Sequence, residues 1–180
     1  MIYAALLRGI NVGGHNKVDM KELKEAFEQA GMSSVKTYIN SGNIVFQDSR
    51  EKAQVTVLLE QAIHEQFALC IKMLVYSFDE YSRIAQAVPS EWANDKQLKS
   101  DVLFLWQQVD QQNVLEQLPL KPDIDQAIYV PGAILWSVER EQASRSGLAK
   151  IVGTALYKQV TIRNVNTVRK IYGLMRELEG

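Results

Sequence analysis

The order in which strand-like and helix-like patterns follow one another is the feature that most restricts the fold of this chain. Short apolar runs rich in branched and aromatic residues indicate strands, whereas apolar residues at i, i+3, i+4 and i+7 indicate helices. In the N-terminal part these patterns predict a strand within 1–12, a helix over 19–31, strands over 35–39 and 44–46, a helix over 51–67 and a strand over 71–76. The predicted order is β-α-β-β-α-β.

Local capping and turn residues support these boundaries. Asp19 followed three residues later by Glu22 is typical of a capping box at a helix start, and Gly31 is a suitable end for that helix. The tight-turn sequence NSGN between the second and third strands predicts a hairpin.

The same order of elements recurs in the C-terminal part, after a linking helix over 78–88 and a polar segment over 90–99. The patterns there predict a strand over 101–106, a short helix over 110–118, a hairpin of 127–130 with 133–138, a weaker helix over 148–157, a strand over 160–162 and a last helix over 166–178. We therefore predict an α+β protein of two tandem ferredoxin-like β-α-β-β-α-β units plus a C-terminal helix. The predicted domains are residues 1–89 and 100–180.

Composition excludes several classes of protein. The chain is 47% apolar and 23% charged, which is enough for an ordinary core. Its single cysteine, Cys70, excludes an internal disulfide framework and a cysteine-built zinc site. No apolar run is long enough to span a membrane, and the N-terminus does not resemble a signal peptide. We expect a cytoplasmic protein without a membrane partner, a cofactor or a metal site.

The net charge of −1 hides an uneven distribution of charge. The segment 142–176 contains seven basic residues and no acidic one, which leaves 13 basic and 21 acidic groups in the rest of the chain. Such a separation is typical of a surface that attracts an anionic partner. The alternative is a solvated helix face that pairs with acids elsewhere in the protein.

The most distinctive motif is the loop RGINVGGHNK, residues 8–17. Glycine-rich loops can present consecutive main-chain N–H groups to an anion, and basic side chains add charge. The spacing is neither a P-loop nor a dinucleotide-binding fingerprint. The alternative is a tight turn whose asparagines bond their own backbone. The candidate ligand-binding residues in this loop are Arg8, Asn11, Gly13, Gly14 and Lys17.

The predicted topology brings other polar residues to the ends of the two sheets. In the first unit the loop after the first strand and the turn at Ser41 and Asn43 should lie at the same end. In the second unit the segment 144–146 should lie beside the end of the last strand. This adds Ser41, Asn43, Arg145, Lys150, Thr161, Arg163 and Asn164 to the candidate ligand-binding residues. Whether the two clusters form one cleft stays open.

The motifs ALLRGINVGGHNKV, MKEL, KTYINSGNIVF and TIRNVNTVRK resemble a widespread bacterial family, the domain-of-unknown-function family numbered 1697. The resemblance implies a compact α+β protein built on ferredoxin-like units, and it implies no activity. The characteristic stretches of the family correspond to residues 8–14, 41–43 and 161–167 of this chain. Val165 stands where the family usually has an aromatic residue, which weakens the case for a stacking side chain there.

Three functions are compatible with the sequence. The first is binding of an anionic or phosphorylated ligand, either a nucleotide or a nucleic-acid backbone, through the glycine loop and the Arg and Asn clusters. The second is an enzyme acting on a small phosphorylated or acyl substrate, with His15 or Ser41 taking part in the chemistry. The third is a structural or regulatory dimer whose basic C-terminal helix binds a partner protein.

Overall fold

A computed structural model describes all residues, 1–180, and contains two four-stranded antiparallel sheets. The strands are β1 (Ile2–Leu7), β2 (Ser33–Tyr38), β3 (Asn43–Gln47), β4 (Met73–Ser77), β5 (Leu98–Leu105), β6 (Gln126–Val130), β7 (Ala133–Glu139) and β8 (Val160–Asn164). The α-helices are α1 (Met20–Gln29), α2 (Lys52–Phe67), α3 (Phe78–Ala87) and α4 (Val165–Glu179). The strand orders are β2-β3-β1-β4 and β6-β7-β5-β8. Each is the order of a ferredoxin-like unit, so the predicted fold is confirmed.

The chain divides into two compact units. One unit comprises Met1–Ser82 with Lys170–Gly180, and the other comprises Arg83–Arg169. The polar segment 90–99 therefore belongs to the second compact unit. The predicted domain limits 1–89 and 100–180 stay a prediction.

The first unit has a core between its sheet and the helices α1 and α2. The inward side chains of both central strands join those of the two helices, with Tyr3, Phe27 and Phe46 in ring contact at centroid separations of 5.8 Å. Asp19 caps α1 as predicted, because its Oδ1 accepts from the N–H groups of Lys21 and Glu22 at 2.8 and 3.0 Å. Burial of these large side chains stabilises the packing of the two helices on the sheet. This packing sets the positions of the loops at the ends of the sheet.

The second unit has the same strand order but a different helical layer. The helices predicted over 110–118 and 148–157 are short 3₁₀ segments, at Gln107–Val109, Gln112–Gln117, Gly147–Gly153 and Ala155–Gln159. Thr154 has extended backbone angles and accepts from the N–H of Tyr157, so a continuous α-helix cannot pass through it. Pro119 stops the earlier segment, and its carbonyl oxygen would lie 2.0 Å from a Cβ at position 147. Position 147 therefore has no room for a side chain.

Candidate ligand site at the glycine loop

The glycine loop folds as a miniature β-hairpin. The N–H of His15 donates to the carbonyl of Val12 at 3.0 Å, and the N–H of Asn11 donates to the carbonyl of Asn16 at 3.1 Å. Between them Gly13 and Gly14 have φ values of +59° and +79°. Two successive residues with positive φ are what a two-residue type I′ turn requires, and glycine provides them without strain. The tight-turn alternative is therefore correct as a description of the backbone.

The side chain of Asn11 fixes this hairpin to the rest of the first unit. Its amide donates to the carbonyl oxygens of Val18 and Asn40, each at 2.9 Å, and its oxygen accepts from the N–H of Val18 at 2.9 Å. Asn16 adds a bond from its amide to the carbonyl of Gly9 at 2.9 Å. The bond to Asn40 confirms that the loop after β1 lies beside the β2–β3 turn. The loop is therefore held in one shape before any ligand arrives.

The second half of the β2–β3 turn, residues 41–43, packs against the sheet. Asn43 is fully buried and donates from its amide to the carbonyl of Tyr38 at 3.1 Å and to Oγ of Ser41 at 2.9 Å. Gly42 has a φ of +77°, and a Cβ on it would lie 2.7 Å from the Cβ of Leu7. The NSG sequence is thus explained by packing, and Ser41 and Asn43 shape the turn.

A shallow groove of about 320 Å³ runs beside the hairpin. Its walls are formed by Asn11, Gly14, Lys17, Val18, Asp19, Met20 and Asn40. Lys17, Gly13 and Gly14 are exposed, and the N–H groups of both glycines have no hydrogen-bond partner in the protein. The groove therefore combines the unpaired main-chain donor of Gly14 with an exposed cation, and Gly13 adjoins it in the chain.

Asp19 occupies main-chain N–H groups at the start of helix α1, beside this groove. The N–H groups of Lys21 and Glu22 are already bonded to Oδ1 of Asp19, so the helix end offers them to no other anion. Asp19 lines the groove, and its second oxygen, Oδ2, makes no hydrogen bond within the protein. The main-chain donors at the start of α1, which would otherwise favour an anion, are thus occupied by the protein's own carboxylate.

Arg8 lies at the end of β1, where it is half-buried, and its N–H donates to the carbonyl of Lys72 at 2.9 Å. It is absent from the walls of the groove. Of the candidate residues of the first unit, the structure therefore brings Asn11, Gly14 and Lys17 together at one groove.

The candidates of the second unit that lie on β8 are mostly buried. Arg163 is 7% exposed, and its Nη1 donates to Oγ1 of Thr161 at 3.0 Å and to the carbonyl of Ile162 at 2.9 Å. Asn164 accepts from the N–H of Thr167 at 3.0 Å and so caps α4. Both side chains take part in holding β8 and α4 in place.

The segment 144–146 does not lie beside Arg163, contrary to the predicted arrangement. Ser146 donates to Oδ1 of Asp125, which directly precedes β6 at one edge of the sheet. Arg163 lies on β8 at the opposite edge, and β7 and β5 lie between. Three strand spacings amount to about 14 Å. The prediction placed both at the correct end of the sheet but ignored the width of the sheet. Arg145 and Lys150 are exposed.

Asp125 is the centre of a hydrogen-bond network that the sequence did not predict. Its carboxylate accepts from the side chains of Ser146 and Trp136 and from the N–H groups of Gly147 and Lys121, the last three at 3.1, 2.8 and 2.9 Å. Burial works to raise the pKa of this carboxyl, but the four hydrogen bonds outweigh it and the net pKa is lowered. Trp136 was the feature of the sequence that could have indicated such an acceptor, since a buried indole N–H needs one.

Asp101 is a second buried carboxyl and has the opposite environment. It is 8% exposed, stands opposite Trp136 and Asn164 in the sheet, and its side chain makes no hydrogen bond. Burial raises the pKa of Asp101, and the charges of Lys99 and Arg140 offset this only in part.

Comparison with known proteins identifies the family. The model of a protein family described as a protein of unknown function, DUF1697, matches residues 1–136. The chain belongs to this family. The match covers the motifs at residues 8–17 and 40–46, whereas the TIRNVNT motif lies beyond it.

A solved structure extends the likeness of this DUF1697 protein to nearly its whole length. The conserved bacterial protein SP0830 from Streptococcus pneumoniae is 32% identical, with a TM-score of 0.83. The alignment covers 97% of this chain and 98% of the other. A search of curated proteins found no match. No helix of the chain is both long and apolar enough to cross a membrane, and no group of three or more His, Cys, Asp or Glu side chains could hold a metal ion.

Proposed function

We propose that this DUF1697 protein binds a small phosphate-bearing ligand in the groove beside the glycine loop. The observation that carries the proposal is the combination of the unpartnered N–H groups of Gly13 and Gly14 with the exposed ammonium of Lys17. Main-chain donors in a turn form an anion-binding concavity, and a lysine at its side adds the charge.

The rigidity of the loop supports the proposal. A ligand that binds a preformed loop does not have to order it, so less binding free energy is lost. In this proposal Asn11 positions the hairpin, because its amide hydrogens are donated to Val18 and Asn40. The phosphate contacts come from Gly13, Gly14 and Lys17. Arg8, Ser41, Asn43, Thr161, Arg163 and Asn164 stay predicted ligand-binding residues without an assigned contact.

Calorimetric titration with inorganic phosphate tests the proposal. Lys17→Gln should weaken binding about tenfold, because it removes one charge-assisted hydrogen bond. The matched control is Lys21→Gln, which removes the same charge from a side chain that is 86% exposed and outside the groove. Equal affinities in the two variants would contradict the proposal, as would an absence of phosphate binding by the parent protein at low salt.

A second candidate, binding of a nucleic-acid backbone, is favoured by the exposed cations of the second unit. Arg145, Lys150 and Lys158 are all exposed within a segment that contains no acidic residue. Contacts of this kind release counterions, so the affinity for RNA or DNA should fall steeply as salt rises. Replacing the three side chains together by Gln should reduce that salt dependence. An unchanged dependence would exclude this surface as the contact.

A further inference from the structure

Strand β6 forms one edge of the second sheet, and its outward main-chain groups have no partner. A two-residue turn joins β6 to β7, so the flanking residues Val130 and Ala133 form a hydrogen-bonded pair. Because successive residues of a strand alternate in direction, Ala127 and Tyr129 turn their N–H and C=O groups away from β7. No main-chain or side-chain group of the protein bonds these four groups. The edge can therefore accept another strand.

The strand also lacks the features by which edge strands usually avoid pairing with another chain. Such features are charged side chains, prolines and bulges. The sequence of β6 is QAIYV, its pairing with β7 has no register shift, and its Ile128 is 41% exposed. Strand β2 has the corresponding place in the first sheet, and it carries both Lys36 and a register shift between Ser33 and Lys36. Of these two equivalent edges, only β6 is without protection.

A groove of about 340 Å³ lies at the start of β6, where Gln126 forms part of its wall. The charged residues of the wall are all acidic: Glu91, Asp123 and Glu139. None of the three forms an ion pair, and they do not form a group that could hold a metal ion. The neighbouring Arg140 donates to main-chain oxygens instead. Charge complementarity therefore favours a partner that brings a Lys or Arg side chain to this groove.

From the open edge and the acidic groove we infer that β6 binds an extended basic segment of a partner protein as an additional antiparallel strand. Side chains two residues apart in a strand lie on the same face. The segment therefore places an apolar residue beside Ile128 and, two residues further along, a Lys or Arg beside Gln126. Main-chain bonds to Ala127 and Tyr129 supply affinity, and the two side chains supply specificity. This surface is separate from the groove at the glycine loop, so the inference does not depend on phosphate binding.

Fluorescence anisotropy with labelled synthetic peptides tests the inference on the full chain. The probe is the end-blocked peptide Thr-Ile-Thr-Lys-Thr-Arg-Thr, whose apolar and basic side chains share one face. Replacing its lysine and arginine by glutamate should weaken binding at least about tenfold, because like charges then meet at the groove. N-methylation of the threonine between isoleucine and lysine should weaken binding about tenfold. The methyl group replaces the N–H that donates to the carbonyl of Ala127 and leaves that acceptor without a partner.

Two variants of the protein separate the main-chain contact from the charge. Ala127→Pro removes only an outward N–H, so the pairing with β7 should persist, which a thermal melt verifies, while the affinity for the peptide falls about tenfold. Glu139→Gln should weaken binding about fivefold, the upper range for an exposed ion pair. The matched control is Glu116→Gln, which removes an exposed charge outside the groove and should leave the affinity unchanged. If Ala127→Pro does not fold, the N-methylated peptide makes the same test on the unaltered protein.

Each failure would overturn a stated part of the inference. No binding of the basic peptide at low salt would overturn it as a whole, and equal affinity for the N-methylated peptide would overturn the addition of a strand. Equal affinity for the acidic peptide, or equal losses in Glu139→Gln and Glu116→Gln, would overturn the groove as the contact. A dimer in sedimentation that Ala127→Pro abolishes would identify a second copy of the chain as the occupant and overturn the partner segment.

Discussion

The amide of Asn11 donates to the main-chain oxygen of Asn40 at 2.9 Å, across 29 residues of sequence. This bond joins the glycine loop to the turn between β2 and β3, and two further bonds to Val18 complete the coordination of the same side chain. The backbone of Asn11 has a φ of +54°, which asparagine tolerates better than most residues. One residue therefore supplies both the bend and the bonds of the loop.

Asn11→Ala should lower the free energy of unfolding by about 2 kcal/mol, because three hydrogen bonds are lost. For a chain of this size the melting temperature should fall by roughly 4–8 °C. The matched variant Asn11→Asp tolerates the same backbone angle and keeps the acceptor for Val18, but it places a carboxylate oxygen against the carbonyl oxygens of Val18 and Asn40. It should therefore be at least as destabilising as Asn11→Ala. A melting temperature of Asn11→Ala equal to that of the parent would show that the bonds do not hold the loop.

Ile39 should be a site of stored backbone strain. It has a φ of +48°, which is an outlier for a β-branched residue, and its side chain is 50% exposed. Ile39→Asn should relieve about 1 kcal/mol of strain and raise the melting temperature by roughly 2–4 °C. The control is Val57→Asn, since Val57 is 66% exposed within helix α2 and has no such strain to relieve. A lower melting temperature for Ile39→Asn than for the parent would contradict the strain.

Asp125→Asn should be strongly destabilising at neutral pH. Oδ1 of Asp125 accepts from Ser146 and Trp136, and Oδ2 accepts from Gly147 and Lys121. An asparagine keeps one of these acceptors but turns an N–H₂ group toward the other pair of donors, which costs about 3 kcal/mol. Because the folded-state pKa of Asp125 is lowered, its contribution is complete above the ordinary aspartate pKa and is lost as pH falls through the folded-state pKa. Urea unfolding at neutral pH and at a pH below 4 should show a large and then a small difference from the parent. A difference that does not shrink at acidic pH would contradict this account.

Asp101→Asn should have the opposite effect. Its folded-state pKa is raised by burial, so its contribution to stability is complete below the ordinary aspartate pKa and is lost as pH rises through the folded-state pKa. The substitution should therefore stabilise the protein at neutral pH, and the gain should disappear as the pH approaches 4. The same urea series measures the free energy of unfolding of both variants against pH. Each variant serves as the control for the other, because the two effects have opposite signs. Loss of stability in Asp101→Asn at neutral pH would show that the carboxylate has a bonding role.

Local patterns in the sequence were sufficient to predict the order and type of the elements of the first unit. Helix α1 illustrates the reason, because its capping residue, its apolar stripe and the glycine after it all lie within a dozen neighbouring positions. The end of the sheet at which the glycine loop meets the NSG turn also followed, since strand direction is fixed by the element order. In the second unit the same reasoning was correct for the strands but did not give the 3₁₀ form of the helical layer. Local patterns also do not show the close approach of Gly147 to Pro119, which are 28 residues apart.

The sequence by itself determined the family, the two ferredoxin-like units and the presence of a loop able to present main-chain donors, because each depends on residues close together in the chain. Only the tertiary structure decided which polar groups are already used: Asn11, Asn43 and Arg163 are bonded within the protein, whereas the N–H groups of Gly13 and Gly14 are not. It also decided that Asp125 is surrounded by donors and that Asp101 has none. The physical reason is that burial and hydrogen-bond partners come from segments distant in sequence, and these are set by how the sheets and their covering layers pack.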